Sequence, residues 1–234
     1  MGIQLQFEPV IAELDLILNG ILLTIGLSAG AIILGSALAI LLVGFKSLAG
    51  RWAGALVDGY VEVMRNTPFL VQLFMIFFGL PLLGFRMAGT EAALLAMTLN
   101  LAAYSTEIIR AGVDSIHKSQ IEAGLSLALT RLQVFRYIVL KPAFARVWPA
   151  LSSQFVLMLL ASSICSFISV PELSGAAAII EQRTFRSFET YIIVTATYLM
   201  LALSLKALLF WLGRKMFPPT SGLARIEPKG QRRR

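Results

Sequence analysis

The chain has 234 residues, of which 57% are hydrophobic and only 14% charged, with a net charge of +7 and a mean hydropathy of +0.79. These values exclude an ordinary soluble domain and point to an integral membrane protein. The basic excess does not read as a nucleic-acid surface, because Lys and Arg are spread over the connections between apolar runs and no aromatic platform accompanies them.

Residues 1–18 lack Lys and Arg and carry Glu8, Glu13 and Asp15, which argues against a cleavable signal. Within them Phe7, Ile11, Leu14 and Leu18 recur at helical spacing, predicting a short amphipathic helix on the outer membrane surface. A bilayer core takes roughly 20 mainly apolar residues as helix. Five stretches meet that length, at about 19–45, 60–83, 88–109, 147–170 and 190–213. The expected fold is therefore all-α and membrane-spanning, with residues 19–216 as one five-helix domain, a cytoplasmic loop at 110–146, and a disordered basic tail at 217–234.

Sidedness follows from the basic residues, which are retained in the cytoplasm. Two of the connections hold only Arg86, Arg183 and Arg186; every other Lys and Arg lies in the first or third connection or in the tail. That distribution predicts an external N-terminus and a cytoplasmic C-terminus.

In the first span Gly26 and Gly30 form GxxxG, read as a site of close helix packing. In the second, Glu62 and Arg65 stand three apart, as do Glu107 and Arg110 in the third. Both are read as structural ion pairs steadying the bundle rather than as a gate. Asn66-Thr67-Pro68 opens the most apolar part of the second span, where Pro68 removes a donor and kinks the helix; Thr67 and Pro68 then either wall a cavity or serve packing. Asn100 and Tyr104, one turn apart, are candidate path residues of the third span. Gln154, Met158, Ser162 and Ser166 recur every four residues in the fourth, facing either a partner or an aqueous path, with hydroxyls that bond their own helix carbonyls as the alternative. Cys165 is read as a packing residue and His117 as a solvated loop residue.

The loop between spans three and four carries two capping signals, Ser119 with Glu122 and Thr130 with Gln133. They predict helices at about 120–129 and from Arg131 to about Leu140, the second stopped by Pro142. Ile121, Leu125, Leu127 and Leu129 are too apolar for a solvated connector, so the loop either closes the bundle or docks a partner.

Glu122-Ala123-Gly124, with Ala128 and then Phe135, Ile138, Leu140 and Pro142, resembles the EAAxxxG loop of the permease subunits of bacterial ATP-binding-cassette importers, with Gly124 for the second Ala and Ala128 at the family's Gly. Asn19-Gly20 with Thr24, the run from Tyr60 to Pro68, Ala103-Tyr104 with Glu107 and Arg110, and Pro171-Glu172-Leu173 resemble the subfamily importing polar amino acids and opine-like derivatives. That resemblance implies a chain in the bacterial cytoplasmic membrane working with two ATPase subunits, a second permease chain, an external solute-binding protein and an amino-acid solute. It also implies a coupling helix at 120–130, with Gln120, Ile121, Glu122, Ala123, Gly124, Leu125, Ser126 and Ala128 meeting the ATPase. Relatives often show a Lys-Asp pair where this chain has Leu160 and Ala161. No GxxxxGK[ST] loop, HExxH or grouped Cys and His is present, so no bound cofactor or metal is expected here, and ATP with Mg is expected on the partner ATPase. An intramembrane enzyme would need a convergent catalytic set that the sequence does not offer. The alternative function is a secondary transporter or channel subunit working without an ATPase.

Overall fold

The computed structural model describes residues 5–48 and 51–217. Its elements are helical throughout: α1 (Glu8–Ile11), α2 (Leu14–Leu48), α3 (Arg51–Arg65), α4 (Phe69–Phe74), α5 (Gly89–Asp114), α6 (Lys118–Ser126), α7 (Arg131–Gln133), α8 (Lys141–Ala161), α9 (Leu173–Thr184) and α10 (Ser187–Met216). Among the described residues four stretches are long and apolar enough to cross a membrane: Leu14–Lys46, Gly89–Asp114, Arg131–Ile168 and Ser187–Met216. A fifth exists if α3 and the helical run Phe69–Leu83, bent by 108° at the break between them, count as one span.

Helix α5 is the hub. Of its most apolar window 67% is buried, against 11% for α10. The reason is composition: Ala92, Ala93, Ala96, Ala102 and Ala103 are buried on α5 and let α2 and α8 approach closely. At Gly35 of α2 an added Cβ would stand 3.1 Å from the Thr98 carbonyl oxygen, and at Gly20 it would stand 3.0 Å from Leu173 Cα. Gly30 meets the Leu94 side chain, whereas Gly26 has open space around it, so the expected GxxxG contact is made by only one of its glycines, and the close approaches of another helix's backbone to α2 lie at Gly20 and Gly35. The outside of the bundle is apolar, with Leu22, Ile33 and Leu41 on α2 and Met200, Leu203 and Phe210 on α10 all exposed. Such a surface suits lipid or a second membrane chain, not water.

Several expectations are corrected. The first long helix starts at Leu14 rather than Asn19, so Leu14 and Leu18 belong to the span and only Glu8–Ile11 forms a separate short helix. The second span is not a kinked rod but two half-helices nearly at right angles. The chain leaves the helix at Asn66 and re-enters at Pro68, whose ψ of 139° is extended. Pro142 does not stop its helix. Residues Val134–Leu140 form a π-helical run immediately before Lys141 and Pro142 stand at the start of α8, so the missing N–H falls where the hydrogen-bond register changes and the rod continues. Of the expected tail at 217–234, all but Phe217 lies outside the described residues.

The charged groups gather at opposite ends of the bundle. At one end Arg183 pairs with Glu13 at 3.1 Å, and Glu189 accepts the Gln6 N–H at 2.9 Å. At the other lie Lys46 with Asp58, Glu107, Arg110 with Asp114 at 3.4 Å, and Arg146, which donates to the Ser115 carbonyl.

Candidate functional site

Two regions carry the chemistry. The first is the loop after α5. Thr130 accepts the Gln133 N–H at 3.3 Å while the Gln133 side chain accepts the Thr130 N–H at 2.8 Å, so the second expected capping box forms. The first does not. Helix α6 starts at Lys118 with His117 at the cap, Ser119 Oγ is held 2.9 Å from His117 Nδ1, and the Glu122 carboxylate makes no hydrogen bond or ion pair within the described residues.

The end of α6 explains one feature of the motif. The Ala128 N–H donates to the Leu125 carbonyl at 3.0 Å and the Leu129 N–H to the Gly124 carbonyl at 3.3 Å, a Schellman ending with Ala128 in the left-handed position at φ 59°. A glycine takes that conformation without strain, which is why Ala128 stands at a motif glycine. Gly124 is buried, and a Cβ there would run into Ile138 Cδ1. Ile121 packs half-buried against the cluster of Ile116, Val134, Val139 and Ala143. The opposite face is open: Gln120, Glu122, Ala123, Ser126 and Ala128 are exposed, with Leu125 and Leu127 beside them. The loop therefore both closes the bundle, through one face, and presents the other.

The second region is a cavity of about 500 Å³ at the α3–α4 break. From the break come Arg65, Asn66, Thr67, Pro68 and Phe69; α5 contributes Asn100 and Tyr104; α8 contributes Gln154, Leu157, Met158 and Ala161. The broken helix is held open by Gln72, whose amide donates to the Met64 carbonyl at 2.7 Å and to Thr67 Oγ1 at 2.8 Å. Gln72 Oε1 in turn accepts from Asn100 Nδ2 at 2.9 Å, tying the break to α5. The size fits a small-molecule cleft, about 300–1,000 Å³.

Of the expected path residues, Thr67, Pro68, Asn100, Tyr104, Gln154 and Met158 thus meet around one space. Ser162 and Ser166 do not. At Ser162 the helix tightens to a 3₁₀ run through Ile168, which takes them off the α-helical stripe; Ser162 Oγ donates to the Leu159 carbonyl and Ser166 Oγ to that of Ser163, each at 2.7 Å. The pair Glu107–Arg110 forms at 2.5 Å, but Glu62 and Arg65 do not pair. Instead Arg65 reaches Glu107 at 3.7 Å and lies 5.7 Å from the Tyr104 ring centre, and Glu62 accepts from Asn66 Nδ2 at 3.3 Å. Sequence reasoning missed Gln72, although a single amide in the apolar run from Phe69 to Phe78 was a signal.

A third cluster joins motif residues far apart in the chain. Glu172 is fully buried; it caps α9 by accepting the Gly175 N–H at 2.9 Å, and it accepts the Tyr198 hydroxyl at 2.6 Å and the Thr24 hydroxyl at 3.3 Å.

Comparison with known proteins gives a consistent result. The family described as "binding-protein-dependent transport system inner membrane component" matches residues 31–218. A glutamine transport system permease protein, GlnP, of Escherichia coli (strain K12) is 34% identical over 220 residues, covering 91% of this chain and 98% of that one. A probable glutamine ABC transporter permease protein, GlnM, of Bacillus subtilis (strain 168) is 34% identical over 206 residues, covering 88% and 93%. Among solved structures, an amino acid ABC transporter with histidines superposes with a TM-score of 0.82 at 32% identity, covering 91% of this chain and 100% of that one.

Proposed function

The chain belongs to the family of binding-protein-dependent transport system inner membrane components, and on that premise we propose that it is the permease subunit of an ATP-driven importer of polar amino acids or opine-like derivatives. The observation that carries the reading is the cavity at the α3–α4 break, where amide, hydroxyl and guanidinium groups from three helices converge inside an otherwise apolar bundle. Polar groups at that depth are costly unless they meet water or a solute. A broken helix is a recurrent way to present them.

Helix α6 is the coupling helix in this reading, with Gln120 to Ala128 seated on one of two ATPase subunits. Its Schellman ending, the Thr130 cap on α7 directly after it and the packing of Gly124 on Ile138 make it stiff enough to transmit motion. Rocking of the ATPase pair would then tilt the bundle and expose the cavity to one side at a time. A second permease chain, identical or homologous, covers part of the exposed apolar surface, and a solute-binding protein delivers the amino acid from outside. The bundle spans the bacterial cytoplasmic membrane five times, with the bent pair α3–α4 as one span. The end bearing α6 faces the cytoplasm, since Lys46, Arg110, Lys118, Arg131, Arg136, Lys141 and Arg146 gather on that side of the spans.

The test is uptake of labelled amino acids into proteoliposomes holding the chain with its ATPase and binding protein. Uptake that requires both ATP and the binding protein is the expected result. Uptake indifferent to ATP would replace the importer with a secondary transporter.

A further inference from the structure

Helices α8 and α10 enclose a second space, a groove of about 640 Å³ on a different side of α8 from the cavity at the α3–α4 break. Its α10 wall is Lys206, Phe210, Gly213 and Arg214, which recur on one helix face, with Phe217 just beyond. Its α8 wall runs from Ala145 to Leu157, about 18 Å at 1.5 Å per residue, close to the depth of one leaflet of a ~30 Å hydrocarbon core. The floor is built. Gly213 is buried, and a Cβ there would run into Trp148 Nε1, so the glycine lets the indole lie against α10. The Trp148 N–H donates to the Leu209 carbonyl at 3.0 Å, and its ring lies 5.7 Å from that of Phe217.

The charge of the groove is one-sided. Lys206 and Arg214 are exposed, neither pairs with a carboxylate among the described residues, and no lining residue is acidic. Their level in the membrane follows from helix length. Helix α10 has 30 residues, about 45 Å, and so overhangs the hydrocarbon core at both ends. Arg214 and Lys215 fall at its α6-side boundary, 5.8 Å from the Phe210 ring centre and 5.2 Å from that of Trp211, as in the aromatic and basic belt of a headgroup layer. Lys206 starts deeper. An ammonium there is costly unless its stem carries it along the groove toward that layer.

We propose that this groove binds one anionic phospholipid, its phosphate held by Lys206 and Arg214 and an acyl chain laid along Val156 and Leu157. A guanidinium matches phosphate oxygens two at a time, and two cations without an acid favour a headgroup that carries no ammonium of its own. A second copy of this chain suits the groove less well. A two-fold contact through it would set Lys206 and Arg214 against their own counterparts. Nor do its walls offer an acid in exchange, since α8 has none and the one acid of α10, Glu189, stands at the opposite end.

The test is native mass spectrometry of the full-length chain released from detergent micelles containing phosphatidylglycerol or phosphatidylcholine, which counts both lipids and chains on each particle. The first phosphatidylglycerol is expected to bind at least about tenfold more tightly than phosphatidylcholine. Lys206→Gln combined with Arg214→Gln is expected to bring the two lipids to within about twofold of each other. Both side chains are exposed, so this variant should elute from a sizing column as the unaltered protein does. Lys215→Gln removes an equal charge from outside the groove, over Trp211, and should keep the preference. Equal affinity for the two lipids overturns the proposal, as does a preference that survives the double substitution. Displacement of the lipid by equimolar glycerol 3-phosphate also overturns it, making the groove a site for free phosphate. So does a dimer of chains that holds no phosphatidylglycerol where the monomer holds one, which gives the groove to a second copy.

Discussion

The carboxylate of Glu172 and the hydroxyl of Thr24 meet at 3.3 Å in the interior, and the same hydroxyl accepts the Leu173 N–H at 3.1 Å. Three helices are locked there, since Tyr198 on α10 donates to the same carboxylate and Glu172 itself caps α9. Gly20, one turn before Thr24, lets the start of α9 come within 3.0 Å of where its Cβ would be. A fully buried acid with no cation partner among the described residues is sustained by these donors and by the N-terminus of α9.

Glu172→Ala should therefore destabilise the subunit by about 1–3 kcal/mol, because buried donors lose their acceptor. Glu172→Gln should cost less, since an amide oxygen still accepts. Thermal unfolding of the detergent-solubilised complex measures both, and equal melting temperatures for the alanine variant and the unaltered protein would refute the lock.

Gln72→Leu keeps the volume of the side chain but removes the bonds to Met64, Thr67 and Asn100. The break should loosen and the Asn100 amide should turn freely. The expected outcome is a fall in uptake of about tenfold or more with the complex still assembled, since a mispositioned binding group costs far more in function than in stability. Kinetic analysis of uptake alongside size-exclusion chromatography separates the two effects.

Ala128 holds a left-handed backbone that costs an L-residue roughly 1–2 kcal/mol. Ala128→Gly should relieve most of that and raise the protection of the α6 amides against hydrogen exchange by up to about tenfold, the gain being offset in part by glycine's greater unfolded-state entropy. Ala128→Val should lower protection. The opposite order would show that the Schellman ending does not govern the loop.

The Glu122 side chain is exposed and has no partner among the described residues, so Glu122→Lys should leave insertion and melting temperature unchanged. If α6 seats on the ATPase, the reversed charge at the first turns of the helix should weaken co-purification of the two subunits or uncouple ATP hydrolysis from uptake. Normal transport by this variant would sink the coupling role.

Gly124→Ala tests the other face of α6. The added methyl meets the flexible end of Ile138, so the expected cost is about 1–2 kcal/mol, and trimming the neighbour with Ile138→Val should restore part of it. A double-mutant cycle on thermal unfolding reads the coupling directly.

Sequence alone determined the membrane class, the helical architecture, the four helices long and apolar enough to cross a membrane among the described residues, and the position of the ordered loop. Long apolar runs and the capping box at Thr130 are local signals, and a bilayer leaves few alternatives to helix. It also brought forward Thr67, Pro68, Asn100, Tyr104, Gln154 and Met158, each a polar or helix-breaking residue or its neighbour on a face. Only the tertiary structure decided that these residues share one cavity, that Arg65 turns to it instead of pairing with Glu62, and that Gln72 props the break open. It likewise decided that Ser162 and Ser166 leave the stripe where the helix tightens, and that Thr24 and Glu172 close one lock across 148 residues of chain. The physical reason is the same in each case. Helix formation is written in neighbours three and four residues apart, whereas the partner of a buried polar group is chosen by how helices distant in sequence pack, and by which donor lacks another acceptor once water is gone.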